Sequence, residues 1–161
     1  MSDIRIHVDV ASQTLELRDD ERVLKRYAVS TAANGCGEEN GSGCTPRGWH
    51  RVRARIGADC PEGAVFTGRR ATGEIYSPEL AEAFPKRDWI LTRILWLTGL
   101  ESGRNRGGSV DTLRRYIYIH GTPDREPMGE ARSHGCIRMR NADLIELFER
   151  VPVGTRVFIA E

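Results

Sequence analysis

Tyr116-Ile117-Tyr118-Ile119-His120-Gly121-Thr122 and, after a turn-rich loop, Ser133-His134-Gly135-Cys136-Ile137-Arg138-Met139 decide how this chain of 161 residues is read. The first run alternates aromatic and β-branched residues, so it reads as a buried strand that delivers His120 to its end, where a side chain can leave the core. The loop from Pro123 to Arg132 carries Pro123, Pro127 and Gly129, which let the chain fold back and bring Cys136 beside His120.

That pairing has a chemical sense. The nucleophilic form of cysteine is the thiolate, and a free thiol with a pKa of about 8.5 is mostly protonated near neutrality. A neighbouring imidazole takes the proton during attack and returns it to a leaving amine. Gly135, lacking a Cβ, lets the chain approach a reacting carbonyl and is expected to aim the N–H groups of Gly135 and Cys136 at the developing oxyanion. Taken singly, a cysteine is usually a small buried hydrophobe and a strand-end histidine a hydrogen-bonded surface group. Their joint placement favours catalysis.

At these residues the chain resembles the L,D-transpeptidase catalytic domain, or YkuD-type domain, whose mark is a His-Gly strand end followed by Ser/Thr-His-Gly-Cys. Upstream, Ser30-Thr31 at a strand end and Thr45-Pro46-Arg47-Gly48 are similar to earlier landmarks of that family, so the resemblance covers nearly the whole chain. The resemblance implies that Cys136 is the nucleophile, His120 the general base, and the Gly121 carbonyl the group that orients the imidazole. Ser133, His134 and Gly135 would then shape the acyl and oxyanion site. Arg138, where some members carry Asn, would contact substrate or brace the loop. The implied reaction is acyl transfer at the L,D peptide bond of a peptidoglycan stem tetrapeptide: Cys136 attacks the carbonyl of the third residue, D-alanine leaves and a thioester remains. Water as the second acceptor makes an L,D-carboxypeptidase; an amine from another stem makes a transpeptidase. No cofactor is implied, and the partner is a stem peptide or muropeptide.

Moving outward, Ile4 to Val10 alternates apolar and polar residues, and Gln13 to Leu17 and Val23 to Val29 read as two more strands joined through Asp19-Asp20-Glu21, an antiparallel meander. Thr31 to Gly48 is a glycine-rich loop suited to a substrate wall, with no nucleotide-binding fingerprint, and Trp49 to Ile56 has strand composition. Ser77-Pro78-Glu79 starts a short helix through Ala83, which Phe84-Pro85 ends. Trp89 to Leu97 is nearly continuous apolar sequence, read as a central strand, with helix the alternative. The loop Thr98 to Thr112 carries Arg104 and Arg106, which either bind substrate carboxylates or are solvated surface. Asn141 is expected to cap a helix running to Val151, and Arg156 to Ala160 closes the chain as a strand. The fold expected is mainly β, a sandwich or barrel-like pair of sheets with two short helices, in one domain over 1–161.

Composition bounds the remaining possibilities. A hydrophobic content of 39%, a charged content of 29% and a net charge of +1 describe a globular protein with no electrostatic case for nucleic acid. No apolar run approaches the roughly 20 residues of a membrane span, and the N-terminus lacks the basic start and apolar core of a secretory signal, so the cytoplasm is the expected location and hydrolysis of soluble muropeptides the expected activity. With Cys136 as nucleophile, Cys36, Cys44 and Cys60 remain, an odd number expected to be reduced. There is no Cys-x-x-Cys pair and no histidine at ligand spacing, so no metal site is expected and a metal hydrolase is the weaker rival. A non-catalytic module that binds wall fragments is the rival from another class, although binding alone requires no thiol beside an imidazole. Oligomeric state is not legible.

Overall fold

The computed structural model describes residues 3–161. Its ten strands are β1 (Ile4–Asp9), β2 (Thr14–Asp19), β3 (Arg22–Ser30), β4 (Gly48–Ile56), β5 (Ala64–Thr67), β6 (Arg70–Ile75), β7 (Ile90–Gly99), β8 (Tyr118–Gly121), β9 (Ile137–Met139) and β10 (Arg156–Ala160), with helices α1 (Pro78–Ala83) and α2 (Asn141–Arg150). Strand order is β4-β10-β1-β2-β3-β9-β8-β7-β5-β6, and β4 also pairs with β7, so the sheet closes on itself and the β5–β6 hairpin extends from it. Closure removes the open edges that a flat sheet would expose. The mainly β fold with two short helices is as expected.

The alternation along β1 buries Ile6 and Val8, which join Leu15, Leu17, Val29, Val52, Leu95, Leu97, Ile119, Ile137, Met139, Val157 and Ile159 in one core cluster. Leu144, Leu147 and Phe148 bring one stripe of α2 into the same cluster, each fully buried apolar side chain stabilising by about 1.5–3 kcal/mol. β7 is a strand and not a helix, with buried residues on both faces: Leu95 and Leu97 face this core, while Ile94 belongs to a second cluster with Ala64, Phe66 and Tyr118. That second cluster lies under the hairpin, on the opposite face of β7 and β8.

Several local expectations hold in atomic detail. Ser77 Oγ accepts the Leu80 N–H at 3.1 Å and Phe84 is the C-cap of α1. Others are corrected. The β5–β6 hairpin was not anticipated; its two-residue turn, Gly68-Arg69, has positive φ at both positions (56° and 66°), which matches the twist of the flanking strands. Asn141 does not cap α2: it is the first helical residue, after Arg140. Its side chain is drawn instead into the strand ends, donating to the Thr122 carbonyl at 3.0 Å and accepting from Thr92 Oγ1 at 2.6 Å. Tyr116 and Ile117 precede the strand they were expected to start, Tyr116 having φ of 57°.

Candidate active site

β8 pairs antiparallel with β7 and parallel with β9, so Ile94, His120 and Arg138 stand side by side across three strands. Side chains two positions apart share a sheet face. Tyr118 therefore points the same way as His120, and Cys136, two residues before Arg138, reaches that face too. The opposite parity, Ile119 and Ile137, enters the core. The thiol and the imidazole thus meet outside the closed sheet, in a cavity of about 400 Å³ lined by both, together with Arg69, Asp88, Arg115, Tyr116, Tyr118 and Arg138.

His120 is only 1% exposed, and its Nδ1 lies 2.7 Å from the Gly121 carbonyl. A carbonyl can only accept, so Nδ1 carries the hydrogen and Nε2 the lone pair. Burial lowers the pKa of the imidazole, the Gly121 carbonyl opposing weakly, and the ring is neutral near pH 7. Gly121 has to be glycine for a steric reason: a Cβ there would run into Asn141 Oδ1 and come within 2.6 Å of the Leu91 carbonyl. Opposite it, the register of β7 shifts between Leu91 and Ile94, and Thr92 takes φ of 76°, a bulge of the kind that re-aims side chains beside active sites.

Cys136 is partly exposed. Its Sγ accepts the Tyr118 N–H and donates to the Tyr116 carbonyl, both at 3.3 Å. Burial pushes the thiol up to about 12, against the pull of the Tyr118 N–H. The resting group is therefore a protonated thiol held by backbone. It shares the cavity with His120 without a hydrogen bond to it.

The loop before the cysteine is held from several sides. Ser133 Oγ donates to the Cys136 carbonyl at 2.5 Å and accepts the Gly135 N–H at 3.2 Å. The Gly135 N–H expected at the oxyanion is thus already engaged. The glycine is required for backbone reasons, with φ of 134° and the Cys44 carbonyl 3.3 Å from where a Cβ would sit. Thr45 Oγ1 donates to the Gly135 carbonyl at 2.9 Å and accepts the Ala32 N–H at 3.0 Å, tying the glycine-rich loop to the cysteine loop. Arg115 pins that loop further by donating to the carbonyls of Gly37, Glu38 and Cys44.

Arg138, 9% exposed, donates to Asp88 Oδ1 at 3.1 Å. His134 is exposed, with Nδ1 3.7 Å from Asp88 Oδ2. Arg104 and Arg106 are not at this cleft. Arg104 pairs with Glu101 and lines a separate cavity beside Glu38 and Arg47, while between them the buried Asn105 anchors their loop by donating to the carbonyls of Arg47 and Trp49. The arginines that reach the cleft are Arg69, Arg115 and Arg138. Arg69 was missed because its hairpin was; the signal was the apolar run Ala64-Val65-Phe66 before Thr67-Gly68, a strand and turn pattern. Among the described residues no group of three or more metal-ligating side chains occurs, and no helix is long and apolar enough to cross a membrane.

Known proteins share this architecture. The chain is 51% identical over 47 residues to YqjB of Bacillus subtilis (strain 168), the match covering 29% of this chain and 27% of YqjB. An L,D-transpeptidase from Mycobacterium smegmatis superposes with a TM-score of 0.62 at 19% identity, over 99% of this chain and 59% of the other. L,D-transpeptidase 3 from Mycobacterium tuberculosis, in complex with a faropenem-derived adduct, superposes with a TM-score of 0.60 at 15% identity, over 99% of this chain and 61% of the other. At such identities the likeness is one of fold, and this chain spans less than two thirds of each of these proteins. The model of the L,D-transpeptidase catalytic domain, YkuD, matches residues 3–159. The chain belongs to the L,D-transpeptidase catalytic-domain family.

Proposed function

We propose that the protein catalyses cysteine-dependent acyl transfer at the L,D peptide bond of peptidoglycan stem tetrapeptides. The observation that carries this reading is the tautomer of His120: with Nδ1–H committed to the Gly121 carbonyl, Nε2 is the base, and it shares a cavity with a protonated thiol that needs one. Nε2 takes the proton from Sγ as sulfur attacks the carbonyl of the third residue. The tetrahedral intermediate collapses with cleavage of the C–N bond, the imidazolium protonates the departing amine of D-alanine, and a thioester remains on Cys136. Water, deprotonated by the same imidazole, then releases the tripeptide and restores the thiol. The Cys136–Tyr116 hydrogen bond must break for the first step, so substrate entry turns the thiol from the carbonyl towards the ring.

Water is the main acceptor in this proposal. The setting that suits hydrolysis holds soluble muropeptides, and we place it in the cytoplasm; envelope fractions of the native host containing the protein would overturn that placement. The activity is tested by incubating the protein with a disaccharide-tetrapeptide and weighing the products. Tripeptide and free D-alanine are expected from the wild type and neither from Cys136→Ala. Cross-linked dimers without tripeptide would make the enzyme a transpeptidase, as the names of its relatives suggest. Turnover undiminished in Cys136→Ala would remove the mechanism.

A further inference from the structure

We propose that Arg69, at the turn of the β5–β6 hairpin, is the residue that receives a carboxylate of the peptide substrate; this rests on the acyl-transfer reading above. The hairpin carries the guanidinium over the same face of β7 and β8 that holds Cys136 and His120. There it lies 4.4 Å from the ring centre of Tyr116 and 5.0 Å from that of Trp96, while Nη1 donates to Tyr118 Oη at 3.0 Å. Trp96 is itself fixed through its indole N–H to the Leu113 carbonyl at 3.1 Å. Two aromatic faces and a hydroxyl therefore set the orientation of the fork before any ligand arrives, and a donor so preorganised loses little freedom on binding an anion.

Three features distinguish Arg69 from the other arginines of the cleft. Arg138 is neutralised by Asp88, and Arg115 spends its donors on four loop atoms. Arg69, half-buried, has no carboxylate partner among the described residues, and beyond Nη1 its N–H groups have no protein acceptor there. Both Arg69 and the Tyr116 it covers also hold left-handed backbone, with φ of 66° and 57°, a conformation that is unfavourable for a non-glycine residue and gathers at ligand clamps and active sites. A hairpin turn with two positive φ angles is met most cheaply by Asn-Gly, so a long cation at its second position points to a use for the side chain. The link to the chemistry is short: the tyrosine whose hydroxyl Arg69 holds gives its own N–H to the Cys136 sulfur.

The matching ligand is planar and anionic. A stem tetrapeptide offers such a group at the C-terminus of the departing residue and, where the third residue is a diamino diacid, at the end of its side chain; both engage an arginine through two parallel N–H···O bonds. The structure assigns the carboxylate, and chemical synthesis separates the two sources.

The experiment measures kcat/KM for three substrates, the tetrapeptide, its C-terminal carboxamide and the form amidated on the third side chain, with the wild type, Arg69→Gln and Arg69→Lys. The wild type should favour the free acid over one of the two amides by roughly 10- to 100-fold, as one charge-assisted contact gives. In Arg69→Gln that preference should collapse towards one, carried mainly in KM, while Arg69→Lys keeps part of it. Which amide is discriminated identifies the carboxylate. A brace that merely clips the hairpin down would instead lower all three substrates by a common factor, and that result overturns the proposal, as does a preference untouched by either substitution. Wild-type protein that turns over none of the three would refute the acyl-transfer reading itself. Melting curves of both variants separate a binding loss from unfolding.

Discussion

Alkylation of Cys136 by iodoacetamide tests whether the resting site is a thiol held by backbone or a thiolate paired with imidazolium. Burial pushes the group from an ordinary value of 9.0 up to about 12. That cuts the thiolate fraction near neutrality by roughly 1,000-fold, and the greater nucleophilicity of a more basic thiolate, with a Brønsted slope of about 0.4–0.5, restores roughly 20-fold. The net expectation is alkylation roughly 50-fold slower than for an exposed thiol, with log rate climbing about one unit per pH unit across the neutral and mildly alkaline range. Mass spectrometry of the Cys136 peptide, sampled over time at each pH, reads the rate directly. A rate that exceeds the free thiol and levels off below pH 8 would refute the reasoning. It would mean that His120 already holds the proton, that the imidazole is charged despite its burial, and that base catalysis contributes nothing to the first step.

Other outcomes follow from the same geometry. Since burial lowers the His120 pKa, the base stays unprotonated into more acid solution, so the acid limb of kcat/KM against pH should fall below the ordinary imidazole value of about 6.5; a limb above 7 would contradict it. His50, fully buried with Nδ1–H on the Gly48 carbonyl and Nε2 facing Thr112 Oγ1, is pushed down to about 4 by burial. Between about pH 6.5 and 4 the unfolded chain binds a proton that the fold refuses, so this residue's contribution should be intact above 6.5 and shrink by about 3 kcal/mol on acidification. Urea titrations at several pH values, compared with His50→Gln, read that slope, and equal slopes in both would sink it. Phe148→Ala empties a site that is 1% exposed and stacked at 4.1 Å under Arg55; equilibrium unfolding should show a loss of about 3–5 kcal/mol.

The elements most legible in the sequence were those whose signal is local. The Ser77-Pro78-Glu79 start of α1, the β1–β2–β3 meander and the apolar run of β7 each follow from propensity or period within one window. The short β5–β6 hairpin was not, because its turn is Gly-Arg and its second strand, Arg-Ala-Thr-Gly-Glu-Ile, has five exposed or half-exposed polar and small residues before Ile75. Asn141 illustrates a different limit. Its position before an amphipathic stretch reads as a cap, yet a buried acceptor at Thr122 and a donor at Thr92, 19 and 49 residues away in sequence, outcompete that local role.

By itself the sequence determined the residue types of the site, the mainly β class and the spacing that sends the chain back on itself between His120 and Cys136, since these rest on side-chain chemistry and short-range periodicity. Only the tertiary structure decided which face of β8 and β9 the pair occupies, that the thiol is parked between Tyr118 and Tyr116, that Arg104 and Arg106 stand away from the cleft, and that Arg69 stands over it. Those outcomes depend on strand register and on contacts between residues far apart in the chain; a shift of one residue in the register of β8 would have turned Tyr118 and His120 to the opposite face.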